Sequence, residues 1–323
     1  MNSKLYIVLL LYVFATAGCR LIDDDLTACG SDYLINYEVR LVTEVNMVID
    51  EELSSDIEKP IANALKLWSE PIFAGYAHDL DMRFYSLDGT DELKYQKQEI
   101  IDATRKSYTL YIPRENYRHL AIANVTDNTG VEEVDGAKAP SMMLRQKNKD
   151  TLDSHSMAVY SARLQMYMTE NENLSFDVHL YMVSSALALV IVDSTRTKNP
   201  VLESVYIEGT ATRFNVNDSA YAFYSPSVLR AQKVMHNRCF ACVTLPSSDE
   251  DDSWKVKGYV RNEDNTVTES VLTIRRPLQA GTMRIIKVWL GDDGSLTPIQ
   301  TTEVGATITL DWKDGGIHDV VTG

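Results

Sequence analysis

Leu80-Asp-Met-Arg-Phe-Tyr-Ser-Leu-Asp-Gly89 and Tyr108-Thr-Leu-Tyr-Ile-Pro-Arg-Glu-Asn-Tyr-Arg-His-Leu-Ala-Ile-Ala-Asn-Val125 decide the class of fold. In both, apolar side chains alternate with polar ones, the period-two pattern of a strand with one face in a core. Asp88-Gly89 supplies a turn from which Glu92 to Lys97 returns as a hairpin. Pro113 to Tyr117 turns the strand Tyr108–Ile112 into the next, Arg118–Val125.

Toward the N-terminus, Asp32 to Val45 alternates as a first strand. Leu53 to Trp68 changes period: Ile57, Ile61, Leu65 and Trp68 recur at helical spacing and Pro60 suits a first turn, so one amphipathic helix is expected, packed on the sheet. Toward the C-terminus, Asp127 to Asp153 is polar and reads as a long loop, and Met157 to Met168 restores alternation. The polar run Glu170-Asn-Glu-Asn-Leu174 marks a domain boundary. Beyond it, strands are expected at Phe176–Met182, Ala186–Val192, Val201–Gly209, Ala220–Tyr224, Cys239–Leu245, Trp254–Arg261, Ser270–Arg275, Met283–Leu290, Leu296–Glu303 and Ala306–Trp312. The fold class is therefore all-β: two tandem β-sandwich domains, residues 32–171 and 172–323, with a short helix in the first.

The chain opens with Lys4, an apolar run from Leu5 through Ala15, then Thr16-Ala17-Gly18-Cys19. Residues 1–18 read as a signal peptide, because the run is shorter than the roughly 20 residues of a membrane span; a short transmembrane anchor is the other reading. Small residues followed directly by cysteine resemble the bacterial lipobox, with Thr16 departing from its usual leucine. Cys19 is thus the expected lipidation site, the alternative being an ordinary cleavage site with Cys19 as a structural thiol. Two or more palmitate-length chains anchor durably, since each buried methylene contributes about 0.8 kcal/mol.

The net charge of −15, or −16 once Lys4 leaves with the signal peptide, argues against nucleic acid and against a basic membrane-docking face. Residues 19–31 form a short tether with an acidic cluster at Asp23, Asp24 and Asp25, read as solvated charge because consecutive carboxylates lack the spacing of a calcium loop. The remaining cysteines are Cys29, Cys239 and Cys242. Cys239-Phe-Ala-Cys242 has redox spacing but strand-like flanks, which put its two thiols on opposite faces. Buried strand cysteines are expected, with a redox pair or a disulfide to Cys29 as the other readings.

No HExxH, GxSxG, GxxxxGK[ST] or EF-hand pattern occurs. His78-Asp-Leu-Asp81 offers potential ligands but reads as a surface feature at a strand start. No catalytic, cofactor-binding or metal-ligating residue is therefore expected, and no enzymatic activity. A glycosidase-type carboxylate pair is defined in space and cannot be picked from sequence.

Three segments together carry a family resemblance. Cys19-Arg-Leu-Ile-Asp-Asp-Asp-Leu-Thr-Ala-Cys29, Leu80–Gly89, and Tyr108–Tyr117 followed by Leu120-Ala-Ile-Ala-Asn124 resemble the opening, a first-domain strand and a strand-turn-strand of FimB-like fimbrillin-associated anchor lipoproteins of Bacteroidia. Gly30 stands where those proteins usually have proline. The resemblance implies transthyretin-like sandwiches, display on the outer membrane through the lipid anchor, and a fimbrial role in cell adhesion. The partners it implies are other fimbrial subunits, joined by strand complementation. Tyr33 to Val42 is then an inter-subunit or core strand, and Arg40 within it a conceivable cleavage site for an arginine-specific protease, with retention of the strand expected of an anchor. Rival readings are a surface glycan-binding lipoprotein, for which 17 tyrosines and four tryptophans supply ring platforms, and a hydrolase on a sandwich scaffold.

Overall fold

The computed structural model describes residues 32–42, 45–73, 77–100, 107–135, 142–147, 151–167, 174–192, 197–224, 227–250, 253–299 and 304–309. Cys19, Cys29 and the acidic tether lie outside them.

The first sheet sets side by side β3 (Leu93–Ile100), β2 (Asp79–Ser86), β5 (Tyr117–Ala123), β8 (Tyr160–Met166), β9 (Leu174–Met182), β1 (Asp32–Val42) and β4 (Ser107–Pro113). Its ladders are antiparallel except β1 against β9, which is parallel. β4 behaves as its alternation requires: Tyr108, Leu110 and Ile112 are buried while Thr109 and Tyr111 face out. β2 is buried almost throughout, because a second sheet covers its other face.

That second sheet joins β6 (Val131–Asp135) and β7 (Met142–Gln146) to β12 (Arg213–Asn215) and β13 (Ala220–Ala222). Val131, Leu144 and Phe214 pack on Tyr85, Leu120 and Ile122 of the first sheet. The expectation of a long loop from Asp127 to Asp153 is thereby corrected. A β6–β7 hairpin lies within it, its strands only five residues each and carrying Glu132, Glu133 and Arg145 on positions that mask the alternation.

In the second half, β15 (Gln232–Met235), β16 (Cys239–Thr244), β10 (Ser185–Ile191), β19 (Met283–Leu290) and β20 (Leu296–Pro298) form a third sheet. The fourth comprises β14 (Val228–Arg230), β11 (Val201–Glu208), β17 (Trp254–Arg261), β18 (Val267–Ile274) and β21 (Val304–Thr309). Leu187, Leu189, Phe240 and Val288 of the third meet Leu202, Val256, Leu272 and Ile274 of the fourth, the expected sandwich core.

The helix expected over Leu53–Trp68 is preceded by another that was not expected, α1 (Val45–Glu52), and is itself shortened at its start to α2 (Lys59–Ser69). Ser55 and Glu58 interrupt the pattern. The Glu58 carboxylate accepts both the backbone N–H of Ser55, at 3.1 Å, and its hydroxyl, at 2.6 Å, and so fixes the turn that precedes the second helix. Ile57 consequently falls outside the apolar stripe and is exposed, whereas Ile61 and Leu65 are buried. Ile49, Leu53, Ile61 and Leu65 share one continuous core with Met82, Phe84 and Leu110 of the first sheet and Ala186, Ala188 and Ala241 of the third. The helices thus form the layer that joins the two halves. Lys287 of β19 pairs with Glu58 at 3.0 Å; burial pushes the Glu58 carboxyl up, but Ser55 and Lys287 outweigh it and hold it below its ordinary value.

The passage from the first sheet to the third falls at Val183-Ser184, not at 171/172, because β9 pairs with both β1 and β8. The polar run before Leu174 stands between two strands that pair with each other. Leu152 also crosses over: it bridges to Leu229 and sits in the core of the second half.

Among the described residues, two histidines are fully buried. His119 stacks on Phe84 with 4.4 Å between ring centroids, and His155 lies 3.2 Å from the Ser184 hydroxyl. Burial holds His119 at about 4 and His155 at about 3. Unfolded, both bind protons below about pH 6.5, which the folded chain refuses, so their neutrality costs stability as pH falls. The urea unfolding midpoint is expected to be constant above about pH 7 and to fall between 6.5 and 5, before carboxylates titrate. A flat midpoint across that window would contradict these burials. Leu65→Ala is expected to cost roughly 2–5 kcal/mol in the same assay, and Leu67→Ala, at a side chain 71% exposed, under about 0.5 kcal/mol.

Candidate functional site

Two regions are candidates for a functional site: the strand that follows the tether in sequence, and a groove on the outer face of the first sheet. β1 is an internal strand, as the reading of Tyr33–Val42 allows. Its ladder with β9 runs from Ile35 opposite Leu174 to Val42 opposite Tyr181, and its ladder with β4 from Asp32 opposite Pro113 to Glu38 opposite Ser107. Among the described residues β4 has no other partner strand, so β1 alone holds β4 in the sheet. Arg40 pairs opposite His179, beyond the last β4 partner.

Of the segments that carried the family resemblance, the two within the described residues do structural work here. Gly89 has φ +92°, a left-handed conformation, and the Asp88 carboxylate accepts the Thr90 N–H at 2.9 Å to close the hairpin turn. Tyr117 donates its hydroxyl to the Pro113 carbonyl at 2.6 Å, tying the β4–β5 turn. Asn124, at φ +64°, accepts the His78 N–H at 2.6 Å and donates to the Ala158 carbonyl at 2.9 Å, fastening the starts of β2 and β8 to the end of β5.

The possible ligands in His78–Asp81 are not brought together. His78 is about half exposed and lies 3.7 Å from Asp127, while Asp81 is buried and accepts from Arg83 at 2.9 Å and from Gln96 and Gln98. Arg83 also pairs with Glu133 of β6; burial pulls its pKa down, but the two carboxylates outweigh that and raise it. Among the described residues no group of three His, Cys, Asp or Glu is placed to hold a metal. Cys239 faces the helix layer and Cys242 the opposite core, as strand geometry requires. Both are free and buried, and burial pushes the Cys239 thiol up to about 12 and the Cys242 thiol higher still, so neither is a nucleophile at neutral pH.

The groove escaped sequence reasoning. β8 and β9 pair only at Tyr160–Met182 and Ser161–Tyr181, although both strands run on for several residues. Beside this short ladder opens a groove of about 580 Å³, lined by Arg163, Gln165, His179, Tyr181, Ser219 and Tyr221. Its volume falls in the usual range for small-ligand sites, roughly 300–1,000 Å³. The available signal was the outward set of β8 and β9, where a cation, an amide, a histidine and a tyrosine take the positions facing away from the core.

No family model matches the chain, and no curated protein matches it significantly. Solved structures do. A candidate polysaccharide-binding protein from Bacteroides thetaiotaomicron superposes with a TM-score of 0.54 at 8% identity, over 84% of this chain and 99% of that one. A candidate adhesin from the same species gives 0.51 at 9%, over 86% and 96%. Another, from Bacteroides ovatus, gives 0.50 at 9%, over 85% and 95%. At such identities the likeness is one of fold: this is an all-β sandwich protein built like these Bacteroides proteins.

Native chain treated with a small alkylating reagent at pH 8 is expected to leave Cys239 and Cys242 unmodified, and chain unfolded in urea to react at both, as peptide mass spectrometry would read. Native labelling at either would contradict their burial.

Proposed function

We propose that the chain is a surface lipoprotein of the FimB-like fimbrial anchor class, held in the outer membrane through Cys19 and serving cell adhesion as an anchor or minor fimbrial subunit. The observation that carries this is the place of β1. The strand that follows the tether is the one that seats β4, so attachment at the membrane and completion of the sheet depend on one segment. About ten extended residues reach at most some 35 Å, which keeps the body close to the bilayer. The three-segment family resemblance supports the same reading.

Assembly with other fimbrial subunits is proposed to run by strand complementation. Cleavage after Arg40 would remove most of β1 and leave the facing edges of β9 and β4 with open N–H and C=O groups, a slot that a donated strand satisfies. An anchor keeps the strand and so keeps the slot filled by its own chain. A second reading, glycan binding at the cell surface, is favoured by Tyr181, a residue 58% exposed that lines the groove.

Metabolic labelling with tagged palmitate is expected to mark the wild-type chain and not Cys19→Ala, and mass spectrometry of surface-purified protein to find an acylated Cys19 as the first residue. A mature terminus at Leu41 would refute the anchor role, and an unlabelled mature chain would refute lipidation.

A further inference from the structure

Three features meet in the groove beside β8 and β9. The Arg163 guanidinium makes no ion pair or hydrogen bond among the described residues, in a chain whose net charge is −15. The exposed Tyr181 ring meets His179 edge to face, 6.5 Å between centroids. Across the groove, Tyr221 is a fixed wall: its hydroxyl donates to the Val183 carbonyl at 2.9 Å and its ring lies 4.8 Å from that of Phe214.

We propose that this groove binds an acidic oligosaccharide, with the carboxylate of a uronic acid unit on Arg163 and a sugar ring laid against Tyr181. Guanidinium matches a planar carboxylate through paired N–H donors, and a chain with so large an excess of acid leaves few cations uncommitted. An aromatic face suits the C–H face of a pyranose, while Gln165 and Ser219 offer groups for hydroxyls. β8 and β9 join only through Tyr160–Met182 and Ser161–Tyr181, and a sugar rests on the outward side chains Arg163, Gln165, His179 and Tyr181, whereas a peptide strand would need the backbone edges and is the competing ligand that the test includes. The proposal rests on the glycan-binding reading and specifies its ligand; it is independent of how the chain is anchored.

Titration of the purified full chain with tetragalacturonate and with its methyl ester, the same sugar without the charge, tests it. The acid is expected to bind, and the ester at least about tenfold more weakly, the worth of one charge-assisted hydrogen bond. Arg163→Met is expected to abolish the difference between acid and ester, and Tyr181→Ala to weaken both. Both side chains are exposed, so unchanged unfolding midpoints would show that the variants remain folded. Equal affinity for acid and ester in the wild type, with Tyr181→Ala still weakening both, would overturn the acidic ligand and leave glycan binding standing. No binding of either sugar, or equal binding of a tetraglutamate peptide, would overturn the proposal outright.

Discussion

Two inner strands of the third sheet, β10 and β16, have no face in water, and the rest of the architecture follows from that constraint. One side packs on the fourth sheet in an ordinary sandwich, and the other lies against the helices that also cover the first sheet. Strands buried on both faces cannot alternate, so β10 reads Ser-Ala-Leu-Ala-Leu-Val-Ile and β16 Cys-Phe-Ala-Cys-Val-Thr, every residue buried. Ala186, Ala188 and Ala241 sit on the helix side and the leucines and Phe240 on the sandwich side. Small side chains where helices approach and large ones where a sheet faces a sheet keep both interfaces filled.

This layering explains why the two halves are not independent beads. The β6–β7 hairpin of the first half completes a sheet with β12 and β13 of the second, and Leu152 enters the second core. Gln146 of β7 reinforces the seam, donating to the Ala211 carbonyl at 2.6 Å and lying 3.0 Å from the Thr244 hydroxyl. A tandem domain plan therefore describes the order of strands along the chain better than it describes the packing between them.

Much of the fold was legible because most strands have one wet face. β4 and β17 alternate as cleanly in burial as in sequence, and the turns at Asp88-Gly89 and Gly294 fall where their residues require. What escaped notice was set by contacts distant in sequence. The helix start depends on a carboxylate turning back to Ser55, the β6–β7 hairpin on partners some 70 residues onward, and the true crossing point on a parallel ladder between the chain's first strand and its ninth. The site divides in the same way. β1 was visible as a strand, but the groove exists only because β8 and β9 part after two pairs, which no local pattern encodes.

The ladders around β1 also bear on mechanics. If the lipid end is held while flow drags the body, tension enters at Asp32 and acts along the strand axis. The bonds to β4 lie perpendicular to the strands and those of the parallel ladder to β9 slant across them, so a load along the strand axis shears both sets and does not peel bonds singly from one end. Seven register pairs with β4 and eight with β9 then share the strain, so under the proposed anchoring the first strand resists a pull on the lipid end.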